Sequence, residues 1–504
     1  MRTFLTRIFG GAVAPTPRFF RSFVFAAVVG LLFASAAAGQ SIPLQTIAIK
    51  QGEFQYFLDD FLIENRFDQR FYVTVRRYVH DGKQDPRNPV LVADQPWEIG
   101  RLIGPASVIY DENHQLFRAY YHIYAKPDQS TPSRVGYAES RDGVRWTKPE
   151  LPFFPWQGQK TNIVFAGKKG ASTFQLVTVP ESAKRGFAFI GYYSEVGGQY
   201  LAGSKDGVTW ETLENIIPYS SDCQHSIIYD PAREEFVTYF RNLRHFRQVA
   251  DTPKAGTTRV ISRLANKTLF GRWQDLPRAV LIPEDEDAVL FYGMSVTVKG
   301  GLYIGFLEQY KQYPQATIDI ELRTSRDGLT WKRHRGGEYL FRRGTDGEWN
   351  GGMVKPAGLV EFGSEWLFYY TGYRGYHHEI LPSKKDAAMG LLRFRKEGLV
   401  SLRSHESGPC QVITRPLLWE KGKLAVNFDG EGVFPTPGSL RVQITDPERT
   451  VIKGFSYADC EMFKGDSVRA KIRWKDADIA NLAGREIRLE FEFRHGDLFG
   501  FVAE

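Results

Sequence analysis

Four acids stand far apart along the chain, each beside a group suited to a polar ligand: Trp97-Glu98, Asp222 before His225, Glu308 before Tyr310, and Glu348-Trp349-Asn350. Carboxyl groups next to aromatic rings and histidines fit the cleavage of a glycosidic bond. That reaction needs a carboxylic acid held protonated for the leaving oxygen and a carboxylate that attacks carbon or activates water. A flat ring beside them offers a platform for a sugar, and arginine or histidine binds hydroxyls or an anionic group. On this reading Glu98 or Glu348 is the acid, and Asp222 or Glu308 the base or nucleophile. Trp97, His225, Arg241, Tyr310, Asp319, Trp349, Asn350, His377 and His378 then bind the substrate. Each has a local alternative: Glu98 caps a turn, Glu284 to Asp287 form a solvated loop, and neighbouring histidines point different ways on a strand, so at most one of His377 and His378 serves. No cofactor and no metal ligand is assigned, and a structural calcium ion in the site stays open.

Residues so distant in sequence need a fold that returns them to one place, and a repeat supplies it. Ser140-Arg141-Asp142-Gly143-Val144-Arg145-Trp146 recurs as Ser204-Lys205-Asp206-Gly207-Val208-Thr209-Trp210 and Ser325-Arg326-Asp327-Gly328-Leu329-Thr330-Trp331. The spacing is about sixty residues, doubled between the second and third copies, and the gap holds a decayed copy from Ser262 to Trp273. A fainter fifth runs from Arg395 to Val400. Asp-Gly supplies the turn of a tight hairpin, because Gly accepts positive φ and Asp tolerates it. Between copies the chain reads as short strands bounded by Gly, Pro, Asp and Asn, with no sustained helical period. The expected fold is all-β: a five-bladed β-propeller over 45–402, with a C-terminal β-sandwich over 403–504. The Asp-Gly turns join strands three and four at the bottom of each blade, so the candidate acids belong to loops at the opposite face. The segment Gln55 to Ile63 is the expected closing strand of the ring.

Residues 1–39 read as a signal peptide: four arginines and no acid, an apolar run from Phe23 to Phe33, then Ala34-Ser35-Ala36-Ala37-Ala38-Gly39. The expected location is outside the cytoplasm, secreted or in the periplasm or cell envelope, with membrane attachment only if the signal stays uncleaved. Without those arginines the formal charge of +7 falls to about +3, so nothing basic remains that would argue for nucleic acid. Cys410 and Cys460 are placed to pair after export, leaving Cys223 as a lone thiol. The 24 Tyr and 10 Trp suit a carbohydrate ligand and equally suit any large β-protein.

From the blade repeat, from Ser140 to Trp146 followed by Lys148-Pro149, and from the segment Asp319 to Trp331, the chain resembles the five-bladed propeller glycosidases over about residues 50 to 400. That superfamily holds arabinanases, β-xylosidases, levansucrases and invertase-like fructosidases. The pattern looks most like secreted bacterial proteins similar to glycoside hydrolase families 32 and 43, with Asp59-Asp60, Pro96-Trp97-Glu98 and a terminal β-sandwich. The resemblance implies three acids from successive inner strands: a nucleophile or base, a transition-state stabiliser and a general acid. The chain departs from the family's local motifs, with no Asn-Asp-Pro-Asn, Arg-Asp-Pro or Glu-Cys-Pro stretch, and with Asn350 where related proteins carry an acid. A polysaccharide or oligosaccharide hydrolase is the expected function, with a non-catalytic glycan-binding propeller as the alternative.

Overall fold

The computed structural model describes residues 46–98, 103–124, 132–218, 226–242, 259–283, 290–334, 339–377, 387–406 and 408–504. Apart from short 3₁₀ turns, the regular elements among them are all strands.

Four-stranded antiparallel sheets follow one another along the chain. The first contains Ile103–Asp111, Leu116–Ile123, Arg134–Ser140 and Ile163–Phe165; the second Ser172–Leu176, Phe189–Glu195, Gly198–Ser204 and Trp210–Ile217. The third contains Ser226–Asp230, Glu235–Asn242, Val260–Asn266 and Arg278–Leu281; the fourth Leu290–Lys299, Leu302–Lys311, Thr317–Ser325 and Lys332–Arg333. The fifth contains Met353–Phe362, Glu365–Tyr373 and Ala387–Arg395, and a parallel pairing of Ile318 with Met353 joins it to the fourth. The first strands stand around a channel. Ser107 Oγ accepts the Leu176 N–H at 3.0 Å, Thr178 pairs with Ile228, and Ser226 Oγ accepts the Val296 N–H at 3.2 Å. A Cβ on Gly358 would lie 3.0 Å from the Val108 carbonyl, so the fifth sheet meets the first across a position that only glycine fits easily. A cavity of about 470 Å³ in this channel is lined from all five first strands.

The repeat explains how the sheets are tied to one another. In each clear copy the serine hydroxyl accepts the glycine N–H (2.9, 2.8 and 2.9 Å at Gly143, Gly207 and Gly328). The aspartate accepts the next two N–H groups at 2.7 to 2.9 Å, which closes the turn on itself. The glycine carbonyl then accepts a tyrosine hydroxyl from a neighbouring sheet: Tyr369 to Gly143 at 2.8 Å, Tyr120 to Gly207 at 2.8 Å, Tyr239 to Gly328 at 2.9 Å. The repeat's tryptophan meets the same ring nearly edge-on, as Trp146 does Tyr369, Trp210 does Tyr120 and Trp331 does Tyr239. Each copy is therefore a latch between sheets, and its glycine is required both for positive φ and for the close approach of the hydroxyl. Tyr239→Phe keeps the ring and removes the bond; it is expected to lower stability by about 1 kcal/mol in chemical denaturation, without altering secondary structure.

Closure differs from the expectation. The strand that completes the fifth sheet is Lys83–Gln84, paired with Leu392 and Arg393. Gln55–Tyr56 instead pairs with Phe501 and Gly500, because Phe57 is buried against Phe491 and Phe501. The neighbouring aspartates are structural. Asp59 holds Arg326 of the third clear repeat with two bonds of 3.0 Å, and Asp60 holds Arg66 and Arg77.

Besides a two-stranded hairpin of Leu151–Trp156 and Gln159–Thr161, the remaining strands form two sheets around one core. One sheet orders Ile47–Ile49, Leu417–Trp419, Arg485–Arg494, Cys410–Thr414 and Ile63–Asp68, with Ser439–Thr445 and Phe463–Lys464 attached beside Arg485–Arg494. The other orders Asp466–Lys471, Leu424–Asp429, Asp497–Ala503, Val400–Arg403 and Arg76–Val79, with Gln55–Tyr56 attached to Asp497–Ala503. Trp419, Val426, Phe428, Phe491 and Phe501 are among its fully buried side chains. Strands from both ends of the chain therefore share this unit. Cys410 and Cys460 are buried free thiols and not the expected disulfide: Cys410 faces Asp68 and Cys460 lies against Val442. Cys223 lies outside the described residues, as does the whole signal segment. No helix among the described residues is long and apolar enough to cross a membrane.

Candidate functional site

Strand direction decides which side chains meet opposite the latches. Second strands run from the bottom upward and end at the far face, where Leu302–Lys311 carries Glu308 and Tyr310, Leu116–Ile123 carries His122, and Glu235–Asn242 carries Arg241. First strands begin there, which places Tyr292 and Lys355 at the same level.

Glu308 is the centre of this group. It is fully buried, and neither carboxyl oxygen has a hydrogen-bond partner. Its nearest described cation is Lys355, whose Nζ is 3.8 Å from Oε2, an ion-pair distance too long for a hydrogen bond. Burial raises the Glu308 carboxyl above the usual carboxylate range, against the opposing pull of Lys355 and Arg241. Lys355 is itself buried. Burial opposes its charge, but Tyr292, Glu308 and Tyr124 outweigh it, and the ammonium lies 4.1 Å from the centre of the Tyr292 ring.

Tyr292 collects further cations, with the Arg241 guanidinium at 4.5 Å and that of Arg259 at 5.2 Å from the ring centre; Arg259 also lies 4.7 Å from Tyr310. His377 bridges the two tyrosines, with Nε2 2.9 Å from the Tyr292 hydroxyl and Nδ1 3.4 Å from that of Tyr310. His122 completes the group. It is 2% exposed, both of its ring nitrogens lack a hydrogen-bond partner, and burial together with the Lys355 charge lowers its pKa to about 3, so the ring is neutral. Its ring centre is 4.0 Å from that of Tyr124. Buried polar groups in proteins are almost always hydrogen-bonded. An acid and an imidazole left open among tyrosines and cations therefore form a site whose polar atoms are suited to a ligand.

Of the residues expected from sequence, the structure brings together Glu308, Tyr310, Arg241 and His377. Asp319 lies on the other face of the sheet: Glu308 pairs with Ile320, alternation turns Asp319 away, and it binds the Arg343 backbone N–H at 3.0 Å and guanidinium at 3.2 Å. Glu348 is exposed and accepts the Thr345 N–H at 2.8 Å; Trp349 stacks on Tyr370 with centres 5.6 Å apart, and Asn350 reaches the Tyr370 hydroxyl at 3.5 Å. Trp97 donates to Asn162 at 2.7 Å. Glu98 is fully buried but engaged on both oxygens: Oε2 accepts the N–H groups of Asp94 and Gln95 at 3.2 Å and pairs with Lys148 at 2.6 Å, and Oε1 accepts the Tyr121 hydroxyl. Such a carboxylate holds a turn. Glu98→Gln is expected to cost about 2 kcal/mol of stability while leaving turnover unchanged, as unfolding curves and kcat measured on one preparation will show. Asp222, His225, His378 and the run Glu284 to Asp287 lie outside the described residues.

The sequence reading gave no role to Lys355, Tyr292 or Arg259. A signal for Lys355 existed: it is the one charge at the start of the apolar strand Met353–Phe362. Among the described residues no group of three or more His, Cys, Asp or Glu side chains could hold a metal ion.

No family model and no curated protein sequence matches the chain. Solved structures similar to it include one from work on the GH130 family of mannoside phosphorylases, 12% identical, covering 66% of this chain and 97% of that one at a TM-score of 0.45. The β-1,2-mannobiose phosphorylase from Listeria innocua is 14% identical, covering 63% and 97% at 0.45. A fructofuranosidase from Schwanniomyces occidentalis is 8% identical, covering 84% and 98% at 0.40. Likenesses at these identities and TM-scores carry no argument about the site, and the fold stands on the strand pairing itself.

Proposed function

We propose that this chain is a secreted glycoside hydrolase that acts on a polysaccharide or its oligosaccharides at the face opposite the latches. One observation carries the reading: Glu308 is a fully buried carboxyl with no hydrogen-bond partner and a raised pKa, set among tyrosines and cations. A carboxyl in that state suits proton donation, so Glu308 takes the role of general acid instead of the base expected from sequence. Its proton passes to the glycosidic oxygen as the bond from that oxygen to the anomeric carbon breaks. Water adds to the carbon, and its proton goes to a carboxylate, for which Asp222 is the candidate named from sequence. His122, Arg241 and Lys355 bind hydroxyls, and the tyrosines supply the sugar platform. Export is proposed from residues 1–39.

The second reading is a non-catalytic glycan-binding propeller, favoured by Glu308 being the one carboxylate among the described residues of the cluster. Incubation of the full chain with a panel of plant and algal polysaccharides, with reducing ends measured, separates the two. New reducing ends support the hydrolase; retention of a polymer without them supports the binder. The absence of both hydrolysis and retention across the whole panel removes the carbohydrate reading.

A further inference from the structure

His122 is buried at 2% exposure, and neither of its ring nitrogens meets a donor or acceptor of the protein. A buried imidazole is normally hydrogen-bonded, and leaving one unpaired is destabilising. The local fold holds it in that state. Across the first sheet Ile103 pairs with Ile123 and Ala106 with Tyr121, so Gly104 and Pro105 together stand opposite His122 alone. A bulge of this kind bends its strand and re-aims side chains. Gly104 is the residue that the bend brings against the ring. A Cβ there would lie 2.7 Å from Tyr124 Cε2, 3.0 Å from His122 Cβ and 3.2 Å from His122 Nδ1. The two rings therefore occupy space that any other residue at position 104 would need, and their centres are 4.0 Å apart. The Gly104 carbonyl meets the Thr371 hydroxyl at 3.5 Å, which ties the bulge to the fifth sheet. Tyr124, half-buried, lies beyond His122 toward the open end of the strand.

The chemistry of the ring says which ligand group would meet it. A neutral imidazole has one donor and one acceptor nitrogen. A hydroxyl both donates and accepts, so it satisfies whichever nitrogen faces it, whereas a carboxylate only accepts and an ammonium only donates. Burial and the Lys355 charge keep the ring neutral, which removes the attraction an anionic group would need. His122 feels the Lys355 ammonium, and that ammonium lies 3.8 Å from Glu308, so the two unpartnered groups share one neighbourhood.

We infer that His122 is the specificity-determining contact of this site, reading a single sugar hydroxyl near Glu308, and that Gly104 is the residue that positions it. That the hydroxyl belongs to a sugar rests on the proposed function; that the group read is a hydroxyl rests on the imidazole. A site built this way rejects a ligand that lacks the hydroxyl, because nothing then replaces water at the buried nitrogen.

Isothermal titration of the full chain with the methyl glycosides of glucose, galactose, mannose, xylose and arabinose, and with the monodeoxy counterparts of each, tests this. In wild type, loss of one particular hydroxyl is expected to raise Kd about tenfold or more. His122→Phe keeps a ring against Tyr124 and removes both nitrogens. That one penalty is expected to vanish in it, while those at the other positions persist. His122→Gln, which restores a donor and an acceptor, is expected to recover part of the penalty. Gly104→Ala should reduce the same penalty, since its Cβ displaces both rings, and it reads that position independently if His122→Phe does not fold. A penalty unchanged in both His122→Phe and Gly104→Ala, or lost equally at every position, overturns the inference. So does a wild type that distinguishes no hydroxyl or binds none of the glycosides. A penalty lost in His122→Phe but intact in Gly104→Ala upholds the contact and overturns the positioning role. Reducing ends released from the polysaccharide panel are counted alongside. Turnover with no hydroxyl assigned to His122 leaves the Glu308 reading standing and removes this one; a hydroxyl assigned to His122 without turnover upholds this inference and favours the non-catalytic binder.

Discussion

Glu308→Gln is expected to fold, to bind substrate, and to lose turnover by about 10³-fold, the range for removing a general acid. The amide has the carboxyl's shape and retains an acceptor toward Lys355, so the packing of Leu302–Lys311 against the neighbouring strands is kept. What it lacks is a transferable proton. The comparison that decides the role uses two substrates, one with a sugar leaving group and one with a leaving group acidic enough to depart unprotonated. A general acid matters to the first far more than to the second, whereas a nucleophile or base matters to both. If both substrates lose activity equally, Glu308 is the carboxylate of the reaction and the proton donor lies elsewhere. If neither loses activity, the buried acid is structural and the site assignment falls.

The case for Glu308 was partly legible in the sequence, and the reasons differ from residue to residue. Local rules exposed the repeat, since Ser-x-Asp-Gly carries its own turn chemistry within four residues. They hid what the repeat does. The latch needs Tyr120, Tyr239 and Tyr369, which come from other sheets, and nothing near those residues announces the partner. Lys83–Gln84 escaped as the closing strand because two residues carry no periodicity, whereas Gln55 to Ile63 looked the part and is claimed by the terminal core through Phe57.

Among the acids, proximity to an aromatic ring was a poor guide. Glu98 and Glu348 each follow or precede a tryptophan, yet the backbone N–H groups three or four residues away take them as turn caps. Glu308 differs by lying in mid-strand, where no free N–H is at hand and sheet pairing consumes the backbone. That distinction can be drawn only once the strand's ends are known. Lys355 was passed over for the converse reason: in an apolar strand a single lysine reads as an interruption of the pattern, and its meaning depends on the carboxyl that a different sheet brings to 3.8 Å.

Lys355→Met tests whether that lysine sets the state of the acid. Facing the Glu308 carboxyl are the ammonium of Lys355 and the guanidinium of Arg241, with neutral His122 and the hydroxyls of Tyr124, Tyr292 and Tyr373 around them. Burial raises the carboxyl's pKa and the two cations lower it. Removing one cation raises it further, so the alkaline limb of the kcat profile is expected to move to higher pH, since the acid works in its protonated form. Stability must follow the same sign. A carboxyl whose folded pKa lies above its unfolded value favours the folded state below the unfolded carboxylate range, and loses that advantage as pH rises through the folded pKa. The variant should therefore match wild type near pH 4 and fall below it toward pH 8, by about 3 kcal/mol if the remaining carboxyl is forced to ionise without its partner. Unfolding curves across that range, measured beside the pH profile, separate this from simple loss of packing, which would lower stability equally at every pH. An unmoved alkaline limb, with stability reduced by a constant amount, would leave Lys355 as a space-filling residue and return the tuning of Glu308 to burial and Arg241 alone.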